Sequence, residues 1–305
     1  MALRILPRAA LVAVMATAGA ASLTGQTKIP PALDCGHGVL VRLSATTATQ
    51  GSLLEAEVRT AKPLEGLTGD WAGHELYFWQ EAPRKNIEHA LVGVDLEHEP
   101  GHSDLRLTIE LAGGEKTACH VAVTVKAGKF AVEKLSIAKE YVEPSAEEIE
   151  RSNQERQRLR EIFATATSGR LWQGKFRLPL EGAGNAKNFG RRRVLNGQPG
   201  SPHSGVDFPA TAGTPIHAAQ SGRVVLAEEL FFSGNTVVID HGLGLYSFYG
   251  HMESLAVRAG DEVKVGGVLG KVGATGRVTG PHLHWGLTVN QARVNPLQIL
   301  SLPPN

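Results

Sequence analysis

Gly280-Pro281-His282-Leu283-His284-Trp285-Gly286-Leu287 alternates polar and apolar side chains with a period of two. On a β-strand successive side chains point to opposite faces. His282 and His284 therefore share one face, and Leu283, Trp285 and Leu287 fill the other, core-facing side. Upstream, His203-Ser204-Gly205-Val206-Asp207 obeys the same rule: residues four apart fall on one face of an extended chain, which puts His203 with Asp207. Between the two lies Tyr249-Gly250-His251. Glycines and prolines around all three patterns favour strands and tight turns over helix.

Working outward, strand-like runs surround these patterns: Gly222–Ala227, Asn235–Asp240, Leu245–Tyr249, Val268–Val272 and His284–Val289. The expectation is an all-β domain over residues 170–302, with the histidine patterns on strand ends and turns. Nitrogen and oxygen donors from histidines and an aspartate suit a zinc ion. Gly-rich loops around 182–200 and 273–280 are expected to form groove walls, because loops commonly carry specificity. Trp285 reads as core, and His217 and His241 as structural.

Ahead of this domain, Pro144-Ser145-Ala146-Glu147-Glu148 is a capping-box start, with Ser145 as N-cap and Glu148 reaching back. The following run to Phe163 is rich in Glu, Arg and Gln, with apolar side chains only at Ile149, Leu159, Ile162 and Phe163. It predicts a largely solvated helix bridging two domains. With an extended segment over Phe130–Val142 it makes a linker, residues 129–169. Residues 32–128 hold short β-type segments, among them Gly38–Leu43, Ser52–Val58, Glu75–Trp79, Leu91–Leu96, Leu105–Leu111 and His120–Val125, separated by turn signals. That pattern predicts an immunoglobulin-like β-sandwich with no catalytic motif. The fold class expected is mainly β: sandwich, linker helix, then a second all-β domain.

The 305 residues carry a formal net charge of +1, which gives no reason to invoke nucleic acid. Arg4 and Arg8 precede an apolar run from Ala9 to about Ala21, and Ala18-Gly19-Ala20 has the form a signal peptidase accepts. The run is short for a membrane span. Residues 1–26 therefore read as a signal peptide, and the protein as exported, periplasmic or extracellular. The only two cysteines, Cys35 and Cys119, are expected to form a structural disulfide in an oxidising compartment, tying the first and last sandwich strands.

The stretch from about Phe176 to Pro296 resembles the lysostaphin/LytM-type zinc endopeptidases. The likeness rests on the order and spacing of the three histidine patterns. Flanking segments agree: Asn188-Phe189-Gly190, Gly213-Thr214-Pro215-Ile216, Gly234-Asn235-Thr236-Val237, Asp240-His241-Gly242 and Gly276-Arg277-Val278-Thr279. The resemblance implies an antiparallel β fold with a groove that cuts peptide bonds in bacterial peptidoglycan. Carried over by position, His203, Asp207 and His284 would hold one Zn²⁺. His251 and His282 would be the catalytic histidines, sharing the base role between them, and either one is suited to holding the oxyanion instead. Catalytically dead relatives typically lack one or more of these groups, and this chain keeps all five. Peptidoglycan is the expected partner of a monomer associated peripherally with the cell envelope. A non-catalytic wall-binding or amidase-activating module is the alternative, and a peptidase directed at a Gly-rich protein is a third reading.

Overall fold

Strict two-residue alternation builds the first domain. In Gly101–Leu111 the side chains of Leu105, Leu107, Ile109 and Leu111 are buried. In Glu115–Lys126 the same holds for Cys119, Val121, Val123 and Val125. These strands pair with each other and, on either side, with Leu64–Trp71 and Thr47–Thr49. The facing sheet contains Val39–Leu43, Leu53–Thr60, Ile87–Gly93 and Phe78–Gln80. Val39, Val41, Leu43, Ala56, Val58, Ala90 and Val92 close the core between the two sheets. A computed structural model supplies this architecture for residues 30–80, 86–184 and 186–302, so the signal peptide expected over residues 1–26 lies outside the described residues. Cys35 and Cys119 are joined in a disulfide with Cα atoms 5.5 Å apart, linking the segment before the first long strand to the last strand of the opposite sheet.

Three local expectations change. Glu75–Trp79 is not one strand: His74–Glu75 pairs with Asp70 and Trp71 in one sheet, and Phe78–Gln80 pairs with the Ile87–Gly93 strand in the other. The expected Leu91–Leu96 strand starts earlier, at Ile87, and ends at Gly93. Just beyond it the Asp95 carboxylate accepts the Glu97 amide at 2.8 Å and turns the chain. Leu64–Trp71 was not expected as a strand because Gly66 and Gly69 interrupt its pattern. Gly66 sits at a register shift, and at Gly69 a Cβ would meet the Phe78 ring at 2.9 Å and Leu107 at 3.0 Å.

The linker is docked rather than free. Val132–Leu135 pairs in parallel with Arg192–Leu195 of the second domain. The helix Ala146–Ala164 opens with the expected capping box, Ser145 Oγ accepting from the Glu148 amide at 3.2 Å and Glu148 Oε2 from the Ser145 amide at 2.7 Å. Most of the helix is solvated, but Leu159, Ile162 and Phe163 lie on Leu226, Leu230, Val238 and Tyr246, so it rides on the second domain's sheet.

That sheet runs, in spatial order, Gly205–Pro209, His282–Val289, Leu245–Leu255, Gly234–Asp240, Gly222–Leu230 and Glu262–Val263, antiparallel throughout. Leu283, Trp285 and Leu287 fill the core with Val206, Phe208, Tyr249 and Ile239, all at most 3% exposed. The two domains meet over a packed interface. Arg293 forks onto Asp95 at 2.7 and 3.0 Å, Leu53 and Leu91 join the second domain's core, and Trp79 meets Trp172 edge-on.

Candidate metal centre and groove

The register of the two edge-proximal strands assembles the site. Asp207 stands directly opposite His284, and Pro209 opposite His282, across antiparallel neighbours. Facing residues in such pairs have neighbouring side chains. His284 Nδ1 accordingly reaches Asp207 Oδ1 at 2.8 Å. Gly205 is required beside it: a Cβ there would lie 2.7 Å from His284 Nε2 and 2.5 Å from the Trp285 carbonyl oxygen. His203 does not share a strand with Asp207 as expected. It sits in the extended loop just before Gly205–Pro209, and its Nε2 still comes within 2.9 Å of Asp207 Oδ1 and 3.0 Å of His284 Nδ1.

His251 arrives by a different device. Where Asn235 faces Met252 and Val237 faces Tyr249, Gly250 and His251 lie opposite the single residue Thr236. This β-bulge re-aims the side chain and leaves His251 at φ +63°, a left-handed conformation uncommon outside glycine. The His251 amide donates to the Ser233 carbonyl at 2.7 Å, which holds the bulge. His251 then lies against His282, ring centroids 4.8 Å apart, and 6.0 Å from His284.

Backbone carbonyls assign the protons. His203 Nδ1 is 2.8 Å from the Asn188 carbonyl, His251 Nδ1 is 2.9 Å from that of Thr275, and His282 Nδ1 is 2.8 Å from that of Gly280. A carbonyl only accepts, so each Nδ1 carries the hydrogen and each Nε2 presents a lone pair in the neutral ring. The Asn188 side chain also brackets the Asp207 backbone, accepting its amide and donating to its carbonyl, both at 3.1 Å. Arg193 donates to Asp207 Oδ2 at 3.0 Å, leaving Oδ1 for the histidines. Asn188 appeared in the sequence only as a flanking segment. Arg193, inside a basic run, carried no spacing signal.

Three donor atoms therefore converge with too few protons to bond one another. His203 Nε2 has none, an ionised Asp207 has none, and at most one sits on His284 Nδ1. Burial, partly offset by Asp207, lowers His284 to about 4. Burial first, then His284 and His282, lowers His251 to about 3. Neutral imidazoles around a carboxylate are the state that binds a cation. Donors bonded tetrahedrally to zinc at 2.0–2.1 Å stand about 3.3 Å apart. The observed 2.8–3.0 Å separations fit one small ion. Among the described residues, His203, Asp207 and His284 form the group with this convergence. His282 Nε2 lies outside it, 3.7 Å from Asp207 Oδ1.

Two adjoining depressions, of about 270 and 350 Å³, flank the five side chains. Their walls come from both Gly-rich loops and, unexpectedly, from the linker: Glu133, Leu135 and Ile137 on one side, Leu159 and Phe163 on the other.

Residues 201–296 match peptidase family M23. The chain is 40% identical over 132 residues to the peptidoglycan DD-endopeptidase ShyC of Vibrio cholerae, covering 42% of this chain and 30% of that protein. It is 38% identical over 97 residues to the DD-carboxypeptidase/endopeptidase Mpg of Neisseria meningitidis, covering 32% of this chain and 22% of that one. The chain thus spans less than a third of the length of either relative. A crystal structure of a peptidase M23 from Pseudomonas aeruginosa superposes with a TM-score of 0.59 at 29% identity, over 83% of this chain and 94% of that one. Sequence and geometry agree that the C-terminal part of this chain is a peptidase family M23 domain of the lysostaphin/LytM type.

Proposed function

We propose that the chain is an exported zinc metalloendopeptidase that hydrolyses peptide bonds in peptidoglycan stems or cross-bridges. The observation that carries this reading is the convergence of His203, Asp207 and His284 beside two further histidines whose Nδ1 atoms are tied to backbone carbonyls. Two imidazoles and one carboxylate suit zinc and leave a fourth coordination position for water or substrate. When bound, the ion supplies Lewis acidity toward the scissile carbonyl and the attacking water. The names of the relatives supply the substrate class. The disulfide fits an oxidising compartment, in keeping with the signal-like N-terminus.

The protein's own groups handle the proton. His251 and His282 each have Nδ1–H tied to a carbonyl, so Nε2 of either ring is free to take a proton from water and return it to the leaving amine. Burial keeps His251 neutral at pH 7, in the form a base requires. A ring that has gained the proton can stabilise the developing oxyanion.

The test is digestion of purified sacculi by residues 27–305, with and without chelator and added zinc, reading products by mass. New peptide termini that vanish with chelator support the enzyme and name the bond. Sacculi left intact by zinc-loaded protein would shift the reading to a non-catalytic wall-binding or amidase-activating module.

A further inference from the structure

Among the described residues, one cation lining the groove has no carboxylate paired with it. Arg191 pairs with Glu133, and Arg193 is shared between Asp207 at 3.0 Å and Glu133 at 3.9 Å. Asp207 is fully engaged, Oδ1 by His203 and His284 and Oδ2 by Arg193. Arg277 lines both depressions beside His251, yet no carboxylate among the described residues lies within 4.0 Å of it. We propose that Arg277 recognises a free carboxylate on the substrate, selecting peptides that carry one next to the bond to be cut. This inference rests on reading the site as a peptidase groove and adds to it the chemistry of the chain that enters.

Arg277 is held for such a task. Its amide donates to the Phe232 carbonyl at 2.9 Å, and its guanidinium carbon lies 4.5 Å from the Phe232 ring centroid. The residue before it, Gly276, has φ +73°, and a Cβ there would stand 2.4 Å from the Gly234 nitrogen and 2.7 Å from the Phe232 oxygen. The loop is therefore pressed backbone to backbone on the 232–234 turn. The same short loop presents the Thr275 and Gly280 carbonyls that orient His251 and His282, so Arg277 is fixed relative to the catalytic rings. Stacking on Phe232 holds the guanidinium without neutralising it. A planar fork of donors is the group that binds carboxylate in two-point fashion. Burial, followed by the charges of Arg193 and Arg156, lowers its pKa to about 10, so it stays charged at neutral pH in a place where charge is disfavoured. An arriving carboxylate relieves that cost, and a neutral carboxamide does not.

The test uses two synthetic cross-linked peptides that differ at one position: the carboxylate adjoining the scissile amide is free in one and a primary carboxamide in the other. Full-length, zinc-loaded wild type is expected to favour the free acid in kcat/KM. Arg277→Gln should lower kcat/KM for the acid by roughly 10- to 100-fold, the value of a charge-assisted hydrogen bond, and leave the amide nearly unchanged. Arg277→Lys, which keeps the charge and loses the fork, should recover part of the preference. Equal loss on both peptides in Arg277→Gln, or an unchanged preference, overturns the proposal. Calorimetric binding of the same peptides to the chelator-treated full chain gives a second readout that needs no turnover. A preference for the acid that disappears in Arg277→Gln supports the carboxylate site even if neither peptide is cleaved, in which case it is the peptidase reading that fails. No preference in the wild type sinks the carboxylate site itself.

Discussion

Replacing His282 by alanine separates the two kinds of histidine in the groove. Three donors lie within 3.0 Å of one another, whereas His282 Nε2 is 3.7 Å from Asp207 Oδ1 and is not part of that group. The variant should therefore keep its metal. The ring sits on the groove face of its strand, and the neighbouring Leu283 and Trp285 on the opposite face are fully buried, so the truncation leaves the core intact. What disappears is a base, worth about 10²- to 10⁴-fold in turnover, or roughly 3–5 kcal/mol of barrier. The assay pairs metal per chain, by mass spectrometry of the purified protein, with kcat on a defined cross-linked peptide. His203→Ala and Asp207→Ala serve as controls that lose metal and activity together. His251→Ala should behave like His282→Ala, and if the rings work as one unit the double variant should cost little more than either single change. Loss of metal from His282→Ala would refute the ligand assignment. A kcat within about tenfold of wild type would refute the base role.

The remaining expectations concern stability. His241, sealed in the core with its ring bonded to the Ser221 carbonyl and the Ser247 hydroxyl, has its pKa lowered by burial to about 4 from 6.5. Below about pH 6.5 the unfolded chain takes up a proton that the folded one refuses, so this contribution is complete above that pH and declines by about 3 kcal/mol toward pH 4. His241→Gln should flatten the fall in urea-measured stability between pH 7 and pH 5 by about 2 kcal/mol, and an unchanged slope would show that another group controls it. The Cys35–Cys119 disulfide spans 84 residues, so replacing both by serine should cost about 4–5 kcal/mol, read as a lower denaturation midpoint under non-reducing conditions. Arg293→Ala removes the fork onto Asp95, a pair about one-third exposed, and should loosen the domain interface by about 1–2 kcal/mol. Calorimetry should then resolve two unfolding transitions, and a single transition at the wild-type temperature would show that the apolar contacts suffice.

The fold was legible where side-chain period and backbone conformation carry the same message. His282–Val289 alternates without a break, and its core residues fell where the alternation places them. Leu64–Trp71 was hidden because its two glycines serve neighbours: one accommodates a bulge and the other yields space to Phe78 and Leu107. Val132–Leu135 was expected to be extended, but its place in the second domain was hidden for another reason. Its pairing with Arg192–Leu195 rests on backbone hydrogen bonds and leaves it mostly exposed, so no hydrophobic period marks it as part of the groove.

The site divides along a similar line. Side-chain type marked the five groove residues, because histidine and aspartate at strand spacing have few other reasons to recur together. Their protonation was not legible, since it is set by the carbonyls of Asn188, Thr275 and Gly280, and every residue in a chain has a carbonyl. Nor did the strand rule explain all of the assembly. It accounts for Asp207 facing His284, but His203 comes from a loop and His251 from a bulge with positive φ. A one-residue deletion that restored regular pairing opposite Thr236 would remove the bulge that gives His251 its positive φ, while Met252 would stay opposite Asn235. The bulge sets where His251 stands among the four groove histidines, and it is invisible to any reading that counts residues in twos.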